Sequence, residues 1–529
     1  MPTSTPASTS ALRPSRVERA SGGLAGLLSG AAAVAVSEAV AGLLTGATSP
    51  LLAVGNRAVD ATPRPLKEFA IETFGENDKP VLIGGVVATV ALLAVLAGVV
   101  GVRRPAVALG AFLVLSVVAT IAVLTDRSAT AGPFLRLLPA LALLAVGVPA
   151  LLWLLGRLRR RASLPDRVDG DDLPPGFDRR GFLQAALAVG AVAAAGGAVR
   201  QLFGGSAAAA QRAEVALPRA GTPAPPVPAG LEVPGITPYL TANKDFYRVD
   251  TALRVPDVPI DGYTLRIHGM VDKEIELSFE DLLARRMIER RITLTCVSNP
   301  VGGEYVGNAT WLGIPVRDLL DEAGVRAGAD AVKSTSADDM TIGTPLQALT
   351  DARRDAIIAV GMNGEPLPLA HGFPVRMVVP GLYGYVSATK WLVDLEVTRF
   401  ADFKAYWSTR GYSMKAPIKT SSRIDVPKSF AQVKAGTRVP VAGVAWSQDR
   451  GIKAVEVRVD GGAWLEATLA DADNIDTWRQ WVWMWQAERG SHQLEVRAID
   501  ATGYVQTDAR APIAPNGSTG WHSVNVTAT

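Results

Sequence analysis

The hydrophobic pattern of the chain changes character near residue 204. Before that point apolar residues come in unbroken runs. Three of them, at roughly 81–102, 105–125 and 134–156, each approach the ~20 residues that a membrane-spanning helix needs. A weaker run at 22–44 is rich in Ala and Gly and carries Glu38. It is read as the first span, with an interfacial helix as the alternative. The pattern thus predicts a polar tail over 1–20 and four transmembrane helices within 21–160. Residues 50–80 mix polar and apolar positions, which suits a loop outside the cytoplasm with an amphipathic piece. A milder Ala/Gly/Val run to about 199 predicts a fifth helix within 161–203, and 204–236 reads as an Ala/Pro-rich linker, extended where prolines cluster.

From 237 onward the period shortens. Tyr263, Leu265 and Ile267 alternate as in a half-buried strand, and Ser278 with Asp281 three residues later reads as a capping box opening a short helix. Val316, Leu319, Leu320 and Ala323 form a helical stripe that Gly324 closes. Residues 237–420 are therefore predicted to be α+β, and no phosphate-loop or dinucleotide glycine fingerprint occurs in them. Over 421–529, Val455, Val457 and Val459 alternate before Asp460-Gly461-Gly462. Trp481, Trp483 and Trp485 alternate in a second run, and Leu494, Val496 and Ala498 in a third. Short strands with glycine turns at this spacing predict an all-β, immunoglobulin-like sandwich, its tryptophans serving as core rather than as a carbohydrate platform.

Charge orients the apolar half. Arg13, Arg16 and Arg19, the Arg103-Arg104 pair, and Arg157, Arg159, Arg160 and Arg161 fall on one side if four spans precede residue 157; that side is the cytoplasm. Glu38, an acidic residue inside a predicted span, is a functional candidate, though a polar helix contact explains it as well. Asp178-Arg179-Arg180-Gly181-Phe182-Leu183 and the run after it resemble a twin-arginine export signal, while the plain reading is the positive flank of the fifth helix. Both readings put everything after 204 outside the cytoplasm, on a multi-pass protein of the cell membrane. A net charge of +3 gives no reason to expect a nucleic-acid partner. One cysteine excludes an intramolecular disulfide and any Cys-x-x-Cys metal or haem motif. The four histidines, His268, His371, His492 and His522, all lie outside the apolar half, which excludes bis-histidine haem there.

That one cysteine sits in Arg291-Ile292-Thr293-Leu294-Thr295-Cys296-Val297-Ser298-Asn299-Pro300-Val301-Gly302-Gly303. Ile292, Leu294 and Cys296 alternate with Thr293 and Thr295, the period of a strand with one buried face, and the loop residues follow at once. A lone cysteine is more often a small buried hydrophobe than a ligand. Here, though, other motifs follow in a fixed order: Trp311-Leu312-Gly313-Ile314-Pro315, Met362-Asn363-Gly364-Glu365-Pro366-Leu367-Pro368, His371-Gly372-Phe373-Pro374-Val375-Arg376, Val379-Pro380-Gly381 and Lys390-Trp391-Leu392. Together with Cys296-Val297-Ser298-Asn299 they resemble the sulfite oxidase family of molybdopterin enzymes over about 237–529; the membrane half lies outside the resemblance.

The resemblance implies that Cys296 is the protein thiolate on molybdenum, a soft ligand for a metal already held by a dithiolene. It implies one molybdopterin cofactor per chain, contacted by Asp338, His371, Arg376, Ala388, Thr389 and Lys390, with Arg376 and Lys390 on the phosphate. Arg248 matches an arginine that binds the substrate oxyanion, and Tyr412 an active-site phenol. In animal and plant members an arginine lies five residues past the cysteine. Here that position is Val301, so one cation is missing, and each such contact to a buried anion is worth ~1.5–3 kcal/mol. The implied activity is oxo transfer as in a sulfite oxidase or dehydrogenase, with reduction of a sulfoxide such as methionine sulfoxide as the alternative. A non-catalytic membrane sensor or scaffold is the third reading, which the intact Cys296, His371, Arg376 and Lys390 set argues against. No haem is expected, so a separate cytochrome or quinone would carry the electrons. The resemblance also implies a homodimer formed through the C-terminal domain.

Overall fold

Runs of some twenty apolar residues leave the backbone one way to satisfy its own polar groups, and each of them is helical in the computed structural model, which describes residues 16–44, 46–63, 66, 69, 73–74, 78–126, 129, 131–159, 179–203 and 206–529. Two compact units emerge, one within Met1–Gly205 with Ala252–Arg254, the other Ser206–Thr251 with Val255–Thr529. The polar tail to residue 15, the segment 160–178 and Asp178 of the paired-arginine motif lie outside the described residues.

The first unit contains α1 (Arg16–Leu43), α2 (Pro50–Ala61), α3 (Asp78–Gly101), α4 (Pro105–Leu124), α5 (Pro133–Arg159) and α6 (Arg179–Phe203). All except α2 are long and apolar enough to cross a membrane. α2 is the amphipathic piece, opened by the Ser49 side chain accepting from the Leu52 amide. Leu92, Val114, Ile121 and Leu187 point outward and are more than half exposed, as a lipid-facing surface requires. Inside, small residues bring backbones together. A Cβ on Gly26 would collide with the Ala94 carbonyl, and one on Gly98 with that of Gly22, so α1 and α3 cross in near contact. Glu38 is buried on α1.

The second unit opens with α7 (Ala207–Glu214), N-capped by Ser206. The stretch after α7, expected as a linker, is fastened along its length: the Gly221 amide donates to Met287 O (2.8 Å), and the Ala224 amide to the Glu289 carboxylate (3.2 Å). Two sheets follow. In one, β1 (Thr264–Gly269), β2 (Ile275–Ser278), β5 (Ala331–Ser336), β6 (Thr341–Pro345) and β10 (Leu392–Thr398) lie in the order β2-β1-β10-β5-β6, with only β1 and β10 parallel. In the other, β3 (Ile288–Thr295), β4 (Val306–Pro315), β7 (Ile357–Met362) and β8 (Glu365–Pro366) run β3-β4-β7-β8, and β9 (Arg376–Val378) joins β7. Short helices α8 (Phe279–Leu283), α9 (Val316–Ala323) and α10 (Leu346–Thr350) pack beside them, an α+β arrangement. α8 has the expected Ser278–Asp281 capping box; all four stripe residues of α9 are buried, and Gly324 ends that helix at φ +70°.

The C-terminal residues form two facing sheets. One has the order β11 (Ser421–Val426), β13 (Arg438–Trp446), β17 (Arg479–Gln486), β16 (Thr468–Leu469). The other runs β12 (Ala431–Val433), β19 (His522–Ala528), β18 (Gly490–Asp500), β14 (Ile452–Val459), β15 (Leu465–Glu466). Trp481, Trp485, Val455, Val457, Leu494 and Val496 share the core between them, and Trp483 packs against it, so the tryptophan run is core.

One local expectation fails. The alternation predicts one buried face for β3, yet Ile292 through Val297 are all buried. The Thr293 and Thr295 face meets the C-terminal sandwich, where the Gln448 side chain and the Trp478 backbone cover it. Hydroxyls on that face suit a buried polar seam, which period-two patterning cannot tell from an exposed face.

Candidate functional site

β3 delivers Cys296 to the point where the strand gives way to a loop. The Cys296 amide donates to Tyr305 O (2.9 Å), and the Asn299 side chain accepts from the Tyr305 amide (2.9 Å), so both ends of the loop are tied to one place. The thiol is buried, and the Ser298 amide points at its sulfur (3.4 Å). Burial pushes the thiol pKa up, while the Ser298 hydrogen bonds and the Lys390 charge oppose that rise.

An open cavity of ≈ 840 Å³ lies over the sulfur. Of the residues singled out in the sequence, Cys296, Asp338, His371, Arg376, Ala388, Lys390 and Tyr412 line it. Thr389 and Arg248 do not. Thr389 is fully buried and shares a 2.6 Å hydrogen bond with Ser334 in the core. The Arg248 guanidinium lies on Asp250, with Nε 2.9 Å from the carboxylate. Asp250, 3% exposed, also receives Lys390 Nζ at 2.6 Å. Sequence reasoning passed over Asp250, although residues two apart on an extended chain share a face, which places it beside Arg248. Of the aromatic wall only Tyr412 was singled out: Phe246, Tyr247, Tyr385, Trp391 and Trp407 stand with it, Tyr412 lying edge-on against Trp407 (5.4 Å) and Tyr385 (5.5 Å). Burial holds the Tyr247 and Tyr385 phenols well above the ordinary range, so both remain neutral.

His371 is delivered by a turn that closes at Gly372 (φ +111°), where a Cβ would sit about 3 Å from Arg376 Cβ and the Lys390 backbone. This close approach sets His371, Arg376 and Lys390 side by side. Burial, then Arg376 and Lys390, push the His371 pKa down to about 4, so the ring is neutral at pH 7, with Nε2 donating to Asn243 O (3.1 Å). Arg376 is 4% exposed, lies 4.8 Å over the Trp311 ring and donates through Nη1 to His371 O (3.0 Å). Its Nε is buried with no partner among the described residues. A buried guanidinium with a spare donor, next to a lysine, fits a phosphate monoester; a soft sulfur lining the same cavity fits a thiophilic metal.

Val301, where the resemblance puts a second arginine, does not line this cavity. It lines a separate small one behind the cysteine loop, with Asn299, Tyr383, Ser422, Trp446 and Gln506. The reason is what the loop packs on: Gly302 turns at φ +78° and lies against the His522 ring, carrying the loop toward the sandwich. An arginine at 301 would therefore enter the sandwich contact, not the main cavity.

His371 and His522 both make stability sensitive to acid. His522, too, is held at about 4, by burial and by Arg423. For a histidine with depressed folded pKa, the stabilisation is present above the ordinary 6.5 and is lost as pH falls through 6.5 towards 4, because the unfolded chain takes the proton first. Each contributes roughly 3 kcal/mol over that window at ~1.4 kcal/mol per unit. Asp476, raised to about 7 by desolvation, acts in the opposite sense, since its stabilisation is lost as pH rises towards 7. In cofactor-free protein, melting temperatures between pH 7 and 4 should fall less steeply for His522→Asn than for wild type and more steeply for Asp476→Asn.

A family model described as oxidoreductase molybdopterin binding domain matches residues 252–407. Sulfite oxidase of Gallus gallus is 31% identical over 338 residues, covering 54% of this chain and 72% of that protein. Mitochondrial sulfite oxidase of Mus musculus is 31% identical over 343 residues, covering 54% of this chain and 61% of its own length. The uncharacterized oxidoreductase YuiH of Bacillus subtilis is 33% identical over 167 residues, covering 31% of this chain and 80% of that protein.

Proposed function

This chain belongs to the sulfite oxidase family of molybdopterin-dependent oxidoreductases, and on that premise we propose that it is a membrane-anchored enzyme whose cavity binds molybdopterin and turns over a small sulfur oxyanion. The observation that carries this reading is the joint lining of one cavity by the Cys296 thiol and by Arg376, Lys390 and His371. Cys296 would supply the protein thiolate, and Arg376 with Lys390 would hold the phosphate end. When bound, the cofactor supplies oxygen-atom transfer coupled to two-electron oxidation or reduction. Neutral His371 holds its proton at Nε2 and adds no charge to the phosphate end. Tyr247 and Tyr412 line the cavity with Cys296 and would limit water there. Asp338 and Ala388 complete the cofactor contacts; Thr389 acts through the backbone it fixes, and Arg248 recruits the oxyanion from its seat on Asp250. Electrons would leave through a separate carrier, a cytochrome or a quinone. Metal and pterin analysis of the purified protein, followed by reduction of its molybdenum with sulfite, tests the reading; protein expressed with cofactor supply that still lacked molybdenum would overturn it.

A second reading, reduction of a neutral sulfoxide, is favoured by the aromatic lining of the cavity and by the place of Val301 outside it. Reoxidation of the reduced protein by a methyl sulfoxide but not by sulfate would select it.

Five apolar helices support anchoring, and the arginine asymmetry supports a catalytic half outside the cytoplasm. A reporter active only in the cytoplasm should work when fused after residue 165 and fail after 210. Lysine at both Arg179 and Arg180 should retain the catalytic half inside if the paired arginines act as a twin-arginine signal; normal export of that double variant would assign them to the fifth helix alone. We read the C-terminal sandwich as immunoglobulin-like and as the surface of a homodimer, to be checked by the mass of the detergent-solubilised particle.

A further inference from the structure

β3 is an edge strand of its sheet: β4 pairs with one side, and on the other Thr222 bridges Ile288 at the start of the strand, leaving the backbone groups beyond it for the fold to cover. The C-terminal sandwich covers them just before the cysteine. The Thr293 amide donates to Asp476 O (2.9 Å), Asn474 Nδ2 donates to Arg291 O (3.1 Å), and the Trp478 amide donates to Thr293 Oγ1 (2.8 Å). Gln448 reaches furthest along the strand. Its Nε2 donates both to Thr293 O (2.9 Å) and to Thr295 Oγ1 (3.1 Å), one residue from Cys296. Gln448 is fully buried, and its Oε1 has no partner among the described residues. A leucine would fill the same space without an unsatisfied acceptor. A buried amide retained at that cost is explained by the two bonds its nitrogen makes, not by packing.

We propose that Gln448 is a positioning residue for Cys296, fixing the end of β3 so that the thiol stays aimed into the cavity. Side chains alternate across a strand, so a tether on the Thr295 hydroxyl, on the sandwich side, holds the backbone that directs Cys296 to the opposite side. The sandwich is in this respect part of the site. Supporting contacts of this kind commonly change activity or metal affinity by ten- to a hundredfold when removed. The sense of the effect at the metal rests on the molybdopterin reading above; the tether itself does not.

The test uses full-length protein and three variants. Gln448→Leu removes both donated bonds. Thr295→Val removes the acceptor without touching the sandwich. Trp481→Phe perturbs the sandwich core alone. In cofactor-free protein, alkylation of the chain's one cysteine and hydrogen exchange at its amide should accelerate about tenfold in Gln448→Leu and Thr295→Val, and stay at the wild-type rate in Trp481→Phe. In metal-loaded protein, the first two should lower kcat about tenfold with KM within twofold, and shift the molybdenum EPR signature. Unchanged thiol reactivity in both tether variants, or equal acceleration in Trp481→Phe, would overturn the proposal. Should Gln448→Leu not fold, Thr295→Val decides alone. Wild-type protein without molybdenum would sink the cofactor reading, while the alkylation and exchange measurements would still decide the tether.

Discussion

Cys296→Ser is expected to leave the chain folded and its turnover reduced by roughly a thousandfold or more. The thiol occupies a buried position at the end of a strand whose backbone is fixed by Tyr305 and Asn299, and serine fills that position with a slightly smaller side chain, so the fold loses little. On the molybdopterin reading a bound metal would lose much more. An alkoxide is harder and more basic than a thiolate, and the soft-ligand match that justifies cysteine here disappears. In a two-electron couple, a shift of about 90 mV amounts to about 4 kcal/mol, which is a factor of roughly a thousand in rate if it falls on the barrier. Melting temperature, molybdenum content and kcat measured on the same preparation separate the effects. The first should be near wild type, the second retained at least in part, and the third lost. Wild-type kcat in the serine variant would remove Cys296 from the metal.

How much of this was legible in the sequence depended on the distance over which a signal acts. The apolar runs became helices almost at their expected limits because span length and backbone satisfaction are local constraints. Ser278 with Asp281, and the α9 stripe ending at Gly324, were readable for the same reason. The cavity's polar side chains were legible through ordered motifs, which set His371, Arg376 and Lys390 side by side. What escaped were contacts that no motif marks, most of them between partners far apart in sequence. Gln448 is 155 residues from Thr293, and nothing near either one marks the contact, so Thr293 and Thr295 read as a solvated face. Val301 was assigned by its offset from Cys296, but the direction of a loop is set by what it packs on, here His522. Thr389 lies between two cavity residues and turns into the core, as alternation along an extended segment requires.

Arg376→Met should move cofactor binding and fold stability in opposite directions. Arg376 is buried with no carboxylate at ion-pair distance among the described residues, one hydrogen bond to His371 O and an unsatisfied Nε. The 4.8 Å contact with the Trp311 face returns part of the desolvation cost, and burial still drags its pKa down to about 10. Replacing a poorly compensated buried charge by an apolar side chain of similar length often stabilises by ~1–4 kcal/mol. Cofactor-free Arg376→Met is therefore expected to melt several degrees above cofactor-free wild type. A phosphate seated there accepts charge-assisted bonds worth ~1.5–3 kcal/mol, so the same variant should retain the pterin with an affinity about ten- to a hundredfold lower. Arg376→Lys should not restore retention, because an ammonium lacks the planar fork and cannot reach the Nε position. Pterin and molybdenum content after gel filtration, set beside melting curves of both forms, gives both signs from one sample. A variant that kept its cofactor, or that melted lower than wild type without it, would make Arg376 a structural cation and leave Lys390 as the principal charge on the phosphate.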